Sequence, residues 1–177
     1  MRNREFSKIF LELKLKQSWI KLRMSHLNKQ RIFSSRNWCQ GAGTPRDVDL
    51  TKGIKFAPAK HILDLMEHFE KDCLAKNTPC IFDSRKKVIS ALAEVHTELI
   101  VIHPFREGNG RLARVLSTLM ALQAGLPPLD FAPIEKGKGR QKYFEAVRDG
   151  WVKQSYRLME EIFEKIIERT LSRSQGK

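Results

Sequence analysis

Cysteine is scarce: three residues in 177, Cys39, Cys73 and Cys80, with no C-x-x-C pair. So small and scattered a set excludes a disulfide framework or a thiolate zinc site, and reduced, mostly buried thiols are expected. Long apolar runs are missing as well. The longest uncharged apolar run near the middle of the chain is Leu99–Ile102, far short of the roughly 20 residues a membrane span needs. At the N-terminus Arg2, Arg4 and Lys8 precede an apolar stretch that Glu12, Lys14 and Lys16 interrupt. That is no signal-peptide core, so a cytoplasmic chain is expected, in its own cell or in one into which it is delivered. Acidic residues are the third shortage: 20 Asp and Glu stand against 33 Lys and Arg, a net charge of +13.

The excess is uneven. Residues 1–36 hold ten Lys and Arg but two Glu, a net +8 that leaves +5 for the other 141 residues. Within them Phe6, Ile9, Phe10, Leu13, Ile20, Met24 and Leu27 recur at roughly helical spacing. The stretch therefore reads as a basic amphipathic helical arm, distinct from a body of residues 37–177. Such an arm can lie on an acidic partner, on nucleic acid or on an anionic surface, or its apolar stripe can simply pack on the body. Aromatic residues are not interleaved with the basic ones as stacking platforms for bases would require.

The body reads as all-α with one small hairpin. Gly41, Gly43, Pro45, Gly53 and Pro58 make residues 34–58 a loop region, in which 47–50 and 54–57 flank Thr51-Lys-Gly53 as a short hairpin. Ile62, Leu65, Met66, Phe69 and Cys73 mark one helical face, ended by Lys76-Asn-Thr-Pro79. Asp83 or Ser84 caps a further helix. Val88, Leu92, Val95 and Leu99 form one stripe on it and Ile89, Ala93, His96 and Ile100 the next, so this should be the central, most buried helix. Pro104 stops it. Another helix is expected from Gly108 to Gln123 with Leu112, Val115, Leu116, Leu119 and Met120 inward, then a short one over Gln141–Asp149 stopped by Gly150, and a last one over Val152–Leu171.

Between the two most apolar helices lies His103-Pro-Phe-Arg-Glu-Gly-Asn-Gly-Arg-Leu-Ala-Arg114. Gly108 and Gly110 bracket Asn109 at a helix start, where unbonded amides and the positive dipole end can hold an anion. Glycines let those amides converge as a nest. Arg111 and Arg114, about one turn apart, can present two guanidinium forks to the same phosphates. Glu107 supplies one carboxylate beside them, the usual way Mg²⁺ is held together with substrate phosphates. His103 lies on the incoming side, where a neutral imidazole can take a proton from a hydroxyl. Each has an ordinary use too: a helix-end histidine, a plain turn, surface arginines, a carboxylate complementing a helix dipole. Their concentration in one dozen-residue loop favours phosphate chemistry.

The loop resembles the signature of the Fic family, H-x-F-x-[D/E]-G-N-G-R-x-x-R, at every fixed position, and a looser similarity runs from about Trp38 to Arg169. The resemblance implies the Fic-type helical bundle and nucleotidyl transfer: AMP moved from ATP to a Ser, Thr or Tyr hydroxyl of a target protein. By it His103 is the general base, Phe105 anchors the loop in the core, and Glu107 holds Mg²⁺ between the α- and β-phosphates. Gly108, Asn109 and Gly110 cradle the phosphates, and Arg111 and Arg114 bind the β- and γ-phosphates. Lys55, Phe56 and Ala57 resemble the family's flap, which pairs main chain to main chain with the target. Arg106 and the helix N-terminus are expected to push the His103 pKa down, keeping it neutral.

Many members of that family carry an inhibitory helix with the pattern [S/T]-x-x-x-E-[G/N]. Here only Ser90 has Glu four residues later, and Val95 follows Glu94. Either a separate antitoxin-like inhibitor is therefore expected, as for the toxin half of a toxin–antitoxin pair, or control lies elsewhere. A second departure is Trp38-Cys-Gln-Gly-Ala-Gly-Thr-Pro-Arg46, longer than the family's Trp-Ala-Gly-x-x-Arg. The alternatives keep the fold but use another nucleotide, phosphorylate, or remove AMP, and Gly110 disfavours the phosphorylating relatives, which have Lys there. An alternative of another class is a basic nucleic-acid-associated module working through residues 1–36.

Overall fold

The computed structural model describes residues 45–50 and 56–175. The basic arm, the run from Trp38 through Gly43, and Lys55 lie outside the described residues. Helix follows helix along the chain: a 3₁₀ turn Ala59–His61, α1 (Ile62–His68) continuing through a π-helical stretch Phe69–Leu74 and one turn Ala75–Asn77, then α2 (Arg85–Ile102) and α3 (Asn109–Gln123). A second 3₁₀ turn Ala132–Ile134 leads into α4 (Gly137–Lys153) and α5 (Arg157–Gln175). No helix among the described residues is long and apolar enough to cross a membrane.

The central element is α2, as its two apolar stripes predict. Ser84 caps it, its hydroxyl accepting the Lys87 amide at 3.4 Å. Twelve of its side chains are buried, from Val88 to Ile102, and α3, α4 and α5 all pack against it. A fully buried leucine such as Leu92 contributes about 1.5–3 kcal/mol by leaving water. In α5 the buried set Met159, Ile162, Phe163, Ile166, Ile167 and Thr170 repeats every three to four residues, which seats its inner face on that core.

Three local expectations are corrected. First, α3 is rotated from the expected face, though Met120 is buried and Leu116 packs on the core as expected. Its inner face is Asn109, Ala113, Ser117, Met120 and Ala121, while Leu112, Val115 and Leu119 are exposed and Leu116 is half-buried. Small residues win the inward face because they let α3 approach the wide apolar surface of α2 closely. Second, Gly150 does not stop α4, which runs on to Lys153. A Cβ on Gly150 would stand 2.3 Å from Thr97 Cγ2 on α2, so this glycine is where two helices touch. Third, there is no strand among the described residues, and 51–55 lie outside them. Among the described residues one main-chain bond, the Phe56 amide to the Leu50 carbonyl at 3.4 Å, joins the two sides of the expected hairpin. The groups a ladder would use are spent elsewhere: the Ala57 amide bonds the Val101 carbonyl at 3.2 Å, and Arg46 takes the carbonyls of Val48 and Ala57.

Candidate active site

His103 ends α2 in the left-handed region, φ 52° and ψ 58°, with its amide on the Leu99 carbonyl at 3.1 Å. That conformation is uncommon outside glycine, though histidine visits it more than most residues. The ring nitrogen Nδ1 lies 3.2 Å from the Ile100 carbonyl. A carbonyl only accepts, so Nδ1 carries the proton, and in the neutral ring the basic lone pair is on Nε2. Phe56 stacks on the imidazole with centroids 3.8 Å apart and planes at 20°, fixing its tilt.

Gly108 opens α3 at φ 90°, a conformation that strains any side-chain-bearing residue. The first helical bond runs from the Leu112 amide to the Gly108 carbonyl at 2.9 Å. The amides of Asn109, Gly110 and Arg111 therefore have no acceptor within the helix, and they share its positive end. Asn109 is buried. Its side chain closes on the loop itself, Oδ1 accepting the Phe105 amide at 2.9 Å and Nδ2 donating to the Phe105 carbonyl at 2.6 Å. Phe105 is half-buried and outside the core cluster, so the loop is held by its backbone rather than by this ring.

A cavity of about 400 Å³ opens beside the loop, lined by His103, Gly110 and Arg114, by the apolar side chains of Phe56, Ile100, Ile134, Phe144 and Val147, and by Glu135, Arg140 and Tyr143. Its lining combines the cations Arg114 and Arg140 with apolar and aromatic side chains, which suits a ligand that is part phosphate and part flat ring. Glu107 and Arg111 are exposed and do not line it. Arg111 folds back over the loop, its Nη2 3.7 Å from where a Cβ on Gly108 would be. Arg106 is ion-paired with Asp47. Of the flap residues, Phe56 and Ala57 are buried, and both Ala57 main-chain groups are bonded within the chain.

Two features escape sequence reasoning. Arg46 enters the sequence reading as the last residue of the run Trp38–Arg46, without a role; it is 3% exposed and bonds the His103 carbonyl through Nε at 2.8 Å. The other is a buried chain beneath the cavity. Ser117 donates to the Ala113 carbonyl at 2.8 Å, so its oxygen accepts from His96 Nδ1 at 3.0 Å, and His96 Nε2 in turn accepts the Tyr143 hydroxyl at 3.0 Å. Burial pushes the His96 pKa down to about 4, with Arg114 adding to the effect, so the ring is neutral as this chain of bonds requires. It ties α2, α3 and α4 together at one point. The exact fit of a hydroxyl at both ring nitrogens gives no sequence signal beyond a histidine on an apolar stripe.

A sequence profile of the Fic/DOC family matches residues 22–121, more than half of the chain and the whole of this loop. The chain belongs to the Fic/DOC family. Its Fic region is 32% identical over 104 residues to the "Protein adenylyltransferase Fic" of Nematostella vectensis, covering 59% of this chain and 22% of that protein. This chain thus spans about a fifth of that relative's length. Among solved structures, BepC of Bartonella tribocorum with bound AMPPNP is similar at 27% identity and a TM-score of 0.57, covering 68% of this chain and 56% of that one. The N-terminal Fic domain of a Bep effector from Bartonella quintana, with bound ADP, is similar at 28% identity and a TM-score of 0.56, covering 71% and 63%.

Proposed function

We propose that this Fic chain is a protein adenylyltransferase that moves AMP from ATP onto a Ser, Thr or Tyr hydroxyl of a target protein. One observation carries the reading: the cavity is lined together by His103, Gly110 and Arg114, with the imidazole proton on Nδ1 and its lone pair on Nε2. Support comes from the relatives, one named a protein adenylyltransferase and two solved with AMPPNP or ADP.

The hydroxyl oxygen attacks the α-phosphorus, the bond to the β-phosphate oxygen breaks, and pyrophosphate leaves. The hydroxyl proton passes to His103 Nε2. Negative charge gathers on the phosphate oxygens, and the amides at the start of α3 with the Arg114 guanidinium are arranged before the reaction to meet it. Holding the nucleotide and the base in one frame lowers the entropic part of the barrier. The apolar side chains of Phe56, Ile134 and Phe144 in the cavity lining suit a flat purine ring.

Glu107 is the residue that would hold Mg²⁺. It is one exposed carboxylate beside the helix N-terminus, and among the described residues no cluster of three His, Cys, Asp or Glu side chains could cage a metal alone. That donor set fits an ion that keeps waters and shares the substrate's phosphates. When bound, Mg²⁺ supplies neutralisation of phosphate charge. Control by a separate antitoxin-like protein belongs to the same reading, since Glu94, which follows Ser90 by four, is engaged with Lys76 and Asn77 away from the cavity.

The test is to incubate the protein with Mg²⁺, a lysate and either α-labelled or γ-labelled ATP. The α-label alone should reach a target band, and His103→Ala should abolish that band while a fluorescent ATP analogue still binds. Transfer of the γ-label would instead make the protein a kinase, and transfer retained in His103→Ala would remove the base from this scheme.

A further inference from the structure

Among the described residues no Lys or Arg other than Arg46 is buried. Enclosing a guanidinium costs several kcal/mol unless its donors are satisfied, and an apolar side chain of similar size is often no less stabilising there. Burial pushes the Arg46 pKa down and Asp49 pulls it back up, from 3.9 Å. Its donors show what the charge is for. Nε bonds the His103 carbonyl at 2.8 Å, Nη1 the Val48 carbonyl at 2.7 Å, and Nη2 the Ala57 carbonyl and, at 3.4 Å, the Ile102 carbonyl. Its own amide bonds the Pro104 carbonyl at 2.8 Å. Three consecutive carbonyls, 102 to 104, are thus held by one residue, and so is the segment carrying Phe56.

We propose that Arg46 is a positioning residue for the transfer reaction: it fixes the carbonyls on both sides of His103 and clamps the Phe56 segment to them, so that the imidazole keeps its left-handed backbone and its stacked tilt at the cavity. This rests on His103 being the base. The rigid fork matters as much as the charge. A lysine has one ammonium and cannot reach carbonyls in three directions at once.

Arg46→Lys and Arg46→Gln test it, each checked for folding by circular dichroism and melting. Affinity for a fluorescent ATP analogue should stay within about 3-fold, while labelling of the target at saturating ATP falls about 100-fold, the cost typical of misplacing a reacting group by an ångström. Imidazole ¹⁵N spectra, assigned with His103→Gln, should show the proton on Nδ1 of His103 in the wild type and a mixture of tautomers in the variants. Wild-type labelling by a folded Arg46→Lys, affinity and labelling falling in equal measure, or an unchanged His103 spectrum would each overturn the proposal. Should neither variant fold, the wild type decides. The Arg46 Nε–H should exchange with water far more slowly than those of exposed arginines, and equal exchange refutes the role. If the wild type labels no target at all, the transferase reading fails, and the His103 and Arg46 spectra still judge this one.

Discussion

The buried His96 makes a quantitative prediction about acid stability. In the folded chain the imidazole is locked neutral between Ser117 and Tyr143, its pKa pushed from 6.5 down to about 4, chiefly by burial. In the unfolded chain it titrates at about 6.5. Between those values the unfolded state binds the extra proton, so stability is complete above about pH 6.5 and falls as the pH drops toward 4. At 1.36 kcal/mol per unit, going from pH 7 to pH 5 should remove about 2 kcal/mol through this one group. The assay is urea unfolding at both pH values for the wild type and for His96→Gln, which cannot titrate. Gln will cost about 1–3 kcal/mol at pH 7 by leaving a partner of the chain unsatisfied. Its loss between pH 7 and pH 5 should nevertheless be smaller than the wild type's by about 2 kcal/mol. Equal losses in the two proteins would mean that His96 is not held neutral and that the bond chain is wrongly drawn.

Other perturbations follow from contacts already described. Asn109→Ala, which deletes both clamps on Phe105, should cost about 2–3 kcal/mol in chemical denaturation and abolish target labelling, since it leaves buried main-chain groups unpaired. Gly150→Ala should cost about 1–3 kcal/mol by overpacking against Thr97, and Thr97→Ser in the same chain, lacking the methyl in the way, should recover most of it in thermal melts. The Asp130 carboxylate is held down to about 2, first by Arg173, then by the Ala132 amide and Arg169. Its contribution, about 1 kcal/mol with such exposed partners, should be present above about pH 4 and be lost as the pH falls through 2. Asp130→Asn should therefore differ from the wild type at pH 7, and the difference should close as the pH falls below 2.

Much of this molecule is legible in its residues, for reasons that also explain the failures. The central helix announces itself because Val88, Leu92, Val95 and Leu99 with Ile89, Ala93 and Ile100 make it apolar over a wide arc, leaving a narrow polar strip of Ser90, Glu94 and Glu98. The loop is readable because its glycines, arginines and acid have few other reasons to stand together. Hydrophobic periodicity misplaces the face of α3, since it weighs Leu112, Val115 and Leu119 as core while Ala113, Ser117 and Ala121 are what close approach selects. Gly150 reads as a stop because its role depends on Thr97, more than fifty residues away. Arg46 is hidden for the same reason: its partners are carbonyls, which have no letter in the sequence.

His103 and Gly108 are both left-handed, and each closes one helix end. The four residues between them behave as a ruler of set length. Lengthening it by one residue would shift the proton acceptor against the phosphate grip by up to 3.3–3.6 Å, the reach of a single extended residue, farther than any hydrogen bond can stretch. Insertions here should be silent in the helices and fatal to turnover, whereas the exposed far side of α3 can drift freely without disturbing that span.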